Sequence, residues 1–247
     1  MIKMKNDNPF IFNAHACAIG GFTTRPWGNE VVKSVASVSL PSTGGKVHAE
    51  EAYAYRPPFL SVGSAVSDIE GTQVSAGVYL TKITVKVTDF VMYDLDTNNR
   101  IVEADFTTSL VTKNDGGKET VVDTSGSQFT RLIVDGAPVI ITKGTMCDAA
   151  QTYEDFDTKF GTNKKVCKSG KMRLMRCSLI DSISHKHSQP NGDQQILVVP
   201  NFGNIYLGEV HIKDNERRIT MMRLELGSPV GGSIALGGGS GNGLPFP

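Results

Sequence analysis

No run in this sequence approaches the ~18–20 uninterrupted apolar residues of a membrane-spanning helix, so none is expected. Net charge is also missing. Lys plus Arg and Asp plus Glu stand at 25 each, so no whole-chain field draws in a phosphate backbone, and no nucleic-acid partner is expected. Aromatic residues are scarce, at 7% with one tryptophan. That leaves Trp27, Tyr53, Tyr55 and Tyr93 as the rings available to a carbohydrate-binding surface. The four cysteines, Cys17, Cys147, Cys167 and Cys177, are too few for a disulfide scaffold at 247 residues and allow three pairings. There is no Gly-x-Ser-x-Gly elbow, His-Glu-x-x-His or Walker loop, so catalysis is not the expected role. Met1–Asn8 carries two lysines without an apolar h-region.

What the sequence does contain is strand after strand. Gly (26 residues) with abundant Ser, Thr and Val favours pleated segments joined by tight turns. Val47, Ala49, Glu51, Tyr53 and Tyr55 share one face of a strand that Pro57-Pro58 ends. Val78 and Leu80 are out of step with Ile83, Val85 and Val87, which predicts a bulge between them. Over 101–111, Val102, Ala104, Phe106, Thr108 and Leu110 alternate with Glu103, Asp105, Thr107 and Ser109. Asp135-Gly136 between Leu132-Ile133-Val134 and Ala137-Pro138-Val139-Ile140-Ile141 fits a type I′ hairpin with Pro138 on an edge strand. Two further hairpins are expected, one joining 171–187 to 195–200 through Gln189–Asp193 and one joining 205–212 to 217–226 through Asp214-Asn215. Arg217-Arg218, Arg223 and Glu225 read as the solvated side of the last strand, with Thr220, Met222, Leu224 and Leu226 buried. One short helix over 152–160 has a Thr152/Asp155 capping box, Tyr153, Phe156 and Phe160 at helical spacing, and Gly161 as its stop. The fold expected is a single all-β, mainly antiparallel, sandwich-like domain over 1–247, with a barrel or β-solenoid as the alternatives. The stretch 237–247 reads as a flexible or docked glycine-rich tail, because its Gly-x-Gly-x-Gly lacks the following helix of a nucleotide site.

Three places could carry chemistry. Asp94, Asp96 and Asn98 alternate like calcium-loop ligands, with Asp105 in the final acidic position, though Asn99 replaces the usual glycine; calcium competes here with a plain Asx-rich turn. His185 and His187 sit two apart in a β-reading segment and would leave one face together, as transition-metal ligands do; the third ligand would come from His15, His48, His211 or Cys177. That arrangement would suit a cupin-like metal-dependent enzyme. His15-Ala16-Cys17 has the same spacing. Cys147 and Cys167 flank the helix and make a candidate disulfide, worth about 3 kcal/mol for a loop of about 20 residues.

Several of these segments together carry a family likeness. Thr81–Thr88, Ile101–Thr112, Gly116-Gly117, Gly126-Ser127 and the run Leu132 to Val139, with Val38-Ser39-Leu40-Pro41 before Gly44-Gly45, resemble the middle of bacterial choice-of-anchor surface proteins. The resemblance implies an exported, non-catalytic, β-rich surface or matrix protein and assigns no functional residues. The chain departs from that pattern in showing neither a signal-type segment nor an apolar-plus-basic tail. The expectation is therefore a structural component that self-associates into an oligomer, fibre or surface layer without a cofactor. A carbohydrate- or ligand-binding module is the alternative.

Overall fold

The computed structural model describes residues 10–26, 28–55, 59–115, 118–148, 153–163, 167–169, 174–192, 194–213, 216–227 and 229–245. Its strands begin with β1 (Phe10–Arg25), β2 (Glu30–Val35), β3 (Val38–Ser39), β4 (Gly45–Tyr55), β5 (Leu60–Ser75), β6 (Val78–Tyr93) and β7 (Arg100–Asp115). They continue with β8 (Lys118–Asp123), β9 (Gln128–Val134), β10 (Ala137–Pro138) and β11 (Ile140–Lys143). A 3-10 turn at Met146–Asp148 and the helix α1 (Tyr153–Phe160) follow. The chain then forms β12 (Cys167–Ser169), β13 (Leu174–Ser178), β14 (Ile180–Ser184), β15 (Ser188–Asn191) and β16 (Gln194–Val199). It closes with β17 (Gly203–Lys213), β18 (Glu216–Leu226) and β19 (Gly231–Pro245).

All pairings are antiparallel and build an open two-sheet sandwich. One sheet of ten strands runs β12-β13-β17-β18-β19-β1-β2, with β16 also on β17, β15 on β16, and β3 on β1. The other, of seven, runs β10-β9-β7-β6-β5-β4, with β8 also on β7. A ribbon of β11 and β14 stands apart. Neither sheet closes on itself, so the barrel and solenoid alternatives fall away. The core lies between the inner faces, where β1 and β19 cross over β5, β6 and β7.

The apolar alternation of 101–111 is realised as read, with Val102, Ala104, Phe106, Thr108 and Leu110 all buried. Asp135 and Gly136 both have positive φ, +48° and +70°, and pair Ala137 with Val134 in the expected hairpin. β10 is the terminal strand of its sheet, where Pro138 leaves no central ladder bond unmade. β17 and β18 pair as expected, their connecting Asp214-Asn215 lying outside the described residues. So do Pro57-Pro58, Gly116-Gly117 and Thr152.

Four expectations need correction. The bulge of β6 lies not between Leu80 and Ile83, where the register is unbroken, but between Val87 and Phe90. There Asp89, at φ +53°, absorbs the extra residue. Gln189–Asn191 belong to β15, which pairs with β16 through a turn at Gly192. Neither Arg217 nor Arg223 is a solvated rung: Arg217 is 1% exposed, and the Arg223 guanidinium forms a two-point pair with a Glu209 side chain that is only 5% exposed, at 2.6 and 2.9 Å, and lies 3.8 Å over the Tyr206 ring.

The largest correction concerns the glycine-rich end, which is neither flexible nor peripheral. It is β19, paired along its length with β18 and β1 in the middle of the ten-stranded sheet. Glycine ordinarily weakens a strand, but here its bare backbone is what the opposite sheet packs against. A Cβ at Gly239 would lie 3.0 Å from Ile83 Cγ2, and one at Gly237 would lie 2.5 Å from both Phe106 Cε2 and Thr108 Oγ1. The Thr108 hydroxyl donates to the Gly237 carbonyl at 3.1 Å, a buried bond between sheets. At Gly237 (φ +62°) and Gly208 (φ +63°) the pleat changes phase across the sheet. Consecutive residues Ala18-Ile19 and Met221-Met222 are consequently both buried.

Candidate functional site

The calcium-type loop is a turn that satisfies itself. Asp94 Oδ1 accepts from the backbone N–H groups of Asp96 (2.9 Å) and Thr97 (2.7 Å) and from the Thr97 hydroxyl (2.9 Å). Asn98 takes positive φ to close the β6–β7 hairpin. The Thr97 N–H bond, outweighing burial, holds the Asp94 carboxyl below its ordinary range. Asp105 does not join this loop. Its carboxylate accepts from Arg131 Nε at 2.7 Å and Nη2 at 3.1 Å and from the Asp89 N–H at 2.6 Å. Burial alone would raise the Asp105 carboxyl; the Arg131 and Asp89 donors outweigh it and leave the group depressed.

His185 and His187 lie in the turn between β14 and β15 rather than on a strand, yet their rings remain together, with centroids 5.3 Å apart. His185 Nδ1 accepts from the His187 N–H at 3.2 Å, and its Nε2–H donates to the Val134 carbonyl at 3.2 Å. That pattern fixes a neutral tautomer with both ring nitrogens engaged. His187 Nε2–H donates to Asp135 Oδ2 at 3.0 Å, and Lys186 Nζ meets the same oxygen at 2.6 Å. The three residues clasp the Asp135-Gly136 turn. His211 is held on β17, His48 pairs with Asp68 at 2.8 Å, and His15 Nδ1 lies 3.2 Å from Ser39 Oγ. No third ligand is thus brought to the pair, and among the described residues no group of three or more His, Cys, Asp or Glu is arranged to hold a metal.

The clasp has a pH consequence. Burial first, then the neighbouring His187, lowers the His185 pKa, and burial lowers that of His211. A histidine held neutral in the fold but titrating near pH ~6.5 when unfolded contributes stability that is present above that value and lost as pH falls below it toward the lowered folded pKa. The melting temperature is expected to drop between about pH 7.5 and 5. The double variant His185→Gln/His211→Gln should flatten that slope; an equally steep slope would show that other groups set it.

The candidate disulfide forms with a different partner: Cys147 bonds Cys177, not Cys167. The 3-10 turn packs against β13, where Cys177 is fully buried facing inward, and so delivers Cys147 to it. Cys167 is placed on β12, opposite Arg176. Cys17 is a free, half-buried thiol whose pKa burial raises. It shares a shallow trough of about 460 Å³ with His15 and Arg218 on the outer face of the ten-stranded sheet.

A second, larger concavity lies on the seven-stranded sheet. This groove of about 630 Å³ is floored by short residues, among them Ala54, Ser61 and Gly63, and walled by Asp89, Arg100, Glu103 and Arg131, with Tyr53 and Tyr93 in its lining. Arg131 is its hub, with Nη2 3.0 Å from Asp89 Oδ1 and Nη1 3.5 Å from Glu103 Oε2 in addition to its Asp105 bonds. Arg100 Nη1 meets the same Glu103 oxygen at 3.0 Å. The β6 bulge builds this wall by turning Asp89 outward beside Arg131. Of the four aromatic platforms, Tyr93 lines this groove, and Tyr53 borders it while its ring packs against the core with Lys33 Nζ 5.9 Å over it. Tyr55 instead turns toward β2, where its hydroxyl donates to Glu30 at 2.9 Å, and Trp27 lies outside the described residues. Sequence reasoning missed Arg131 and Asp89. The one available signal was the acidic outer face Glu103/Asp105, whose cation stands on a strand 26 residues further on.

A family model described as "Domain of unknown function (DUF8256)" matches residues 10–176. The match holds the whole seven-stranded sheet but leaves out β14–β19. No curated protein and no solved structure matches the chain. Since the matched stretch covers more than half of the sequence, the chain belongs to the DUF8256 family.

Proposed function

We propose that the protein is a non-catalytic structural component of an extracytoplasmic surface or matrix layer, self-associating through the outer face of β1 and β2. The observation that carries this reading is a pair of exposed apolar residues. Phe22 on β1 and Val31 on β2 are cross-strand partners, 49% and 80% exposed, at the terminal strand of the ten-stranded sheet. Adjacent exposed apolar side chains at a sheet edge favour an apolar partner surface. A second copy fits because a chain of balanced charge does not repel itself. The Cys147–Cys177 bond supports placement outside the cytosol, since such bonds persist where thiols are not kept reduced.

Light scattering coupled to size exclusion over a concentration series, with negative-stain microscopy, tests the reading. The native chain is expected to form oligomers that Phe22→Ser/Val31→Lys returns to monomers. A native chain monomeric at every concentration would end the proposal, and an oligomer indifferent to the double variant would remove this face from it.

A further inference from the structure

We infer that the groove beside Arg131 is a binding site for a neutral saccharide. Its volume of about 630 Å³ lies within the roughly 300–1,000 Å³ of small-ligand sites. The shape comes from the fold. On β5 the inward sequence passes from Leu60 and Val62 to Ala65 and Ser67, and on β6 from Val87 to Phe90, so the two strands shift phase side by side. Asp89 is thereby thrown outward over a Gly63 whose missing side chain keeps the floor low. A Cβ at Gly63 would stand 3.0 Å from Asp89 Cβ and 3.2 Å from its Oδ2.

The chemistry of the wall selects the ligand. Asp89 and Glu103 face Arg100 and Arg131, two carboxylates against two guanidinium groups, so the lining attracts neither a polyanion nor a polycation. Arg131 offers no open fork to a phosphate, because Nε and Nη2 hold Asp105, Nη2 also donates to Asp89, and Nη1 faces Glu103 at 3.5 Å. These ion pairs instead fix planar groups whose unused lone pairs and N–H bonds point at fixed spacings. Vicinal hydroxyls are bridged by such groups, and the C–H face of a sugar ring lies against an aromatic side chain such as Tyr93. The site is independent of the Phe22/Val31 face, so neither proposal stands on the other.

The test is an array of neutral oligosaccharides of glucose, galactose, mannose and N-acetylglucosamine, with heparin as the anionic control, followed by calorimetric titration of the best neutral binder. Binding is expected for at least one neutral oligosaccharide. Tyr93→Ala, which removes the ring, and Ala54→Trp, which fills the floor, should each weaken it about tenfold or more. Both variants should melt close to the native chain, and Phe22→Ser/Val31→Lys should bind as the native chain does. Three results would overturn the inference: no neutral binder, binding unchanged in both groove variants, or heparin bound in preference to every neutral glycan.

Discussion

Gly237→Ala is expected to cost about 3–4 kcal/mol of folding stability, while Gly238→Ala, one residue on, should change it by less than about 0.5 kcal/mol. Gly237 has φ +62°, a conformation that costs a residue with a Cβ roughly 1–2 kcal/mol. The added methyl would also stand 2.5 Å from Phe106 Cε2 and Thr108 Oγ1 and 2.9 Å from Met221 Cβ. Phe106 is itself 1% exposed and cannot yield, and such overpacking costs roughly another 1–3 kcal/mol. At Gly238 the nearest atom is the Cys17 carbonyl oxygen at 3.6 Å, an ordinary contact. The loss of unfolded-state freedom there offsets any small strain. Urea unfolding of the two variants decides the matter: equal costs would mean that β19 does not run through the centre of its sheet.

Removing the Cys147–Cys177 bond should lower stability by about 3.5 kcal/mol, the chain-entropy value for a separation of 30 residues. A thiol-free reductant should therefore lower the urea midpoint of the native chain. It should do the same to Cys167→Ala, which keeps the bond, and should leave Cys147→Ala/Cys177→Ala unmoved. A non-reducing peptide map linking Cys147 to Cys167 would overturn the assignment. Spacing alone favoured Cys167, since 147 and 167 bracket the helix. The choice turns instead on β13, which carries Cys177 to the inner face beneath the 3-10 turn, a relation set by sheet packing.

Much of the fold was legible because it was local. The β7 alternation, the Asp135-Gly136 turn and the Tyr153/Phe156 spacing each state a preference within a few residues, and the structure keeps all three. The candidate metal ligands were local patterns too, and the fold gives each of them a protein partner that the local pattern does not name. Asp94 satisfies its own turn, and Asp105 answers a cation on β9. His185 and His187 stay adjacent, but spend their hydrogen-bonding capacity on a hairpin about 50 residues earlier in the chain. Arg223 looked solvated because strand alternation says nothing about Glu209 on the neighbouring strand.

The sequence by itself determined an all-β chain with its main hairpins, one short helix and no local signature of catalysis, since periodicity and turn chemistry are properties of neighbouring residues. Tertiary structure alone decided which cysteines bond, that the glycine-rich end is a central strand, and that Asp89, Glu103, Arg100 and Arg131 wall one groove with Tyr93. Each of those depends on which strand lies across from which. For β19 the physical reason is that glycine's missing side chain, a weakness in an isolated strand, becomes the space into which Ile83, Phe106 and Thr108 of the facing sheet pack.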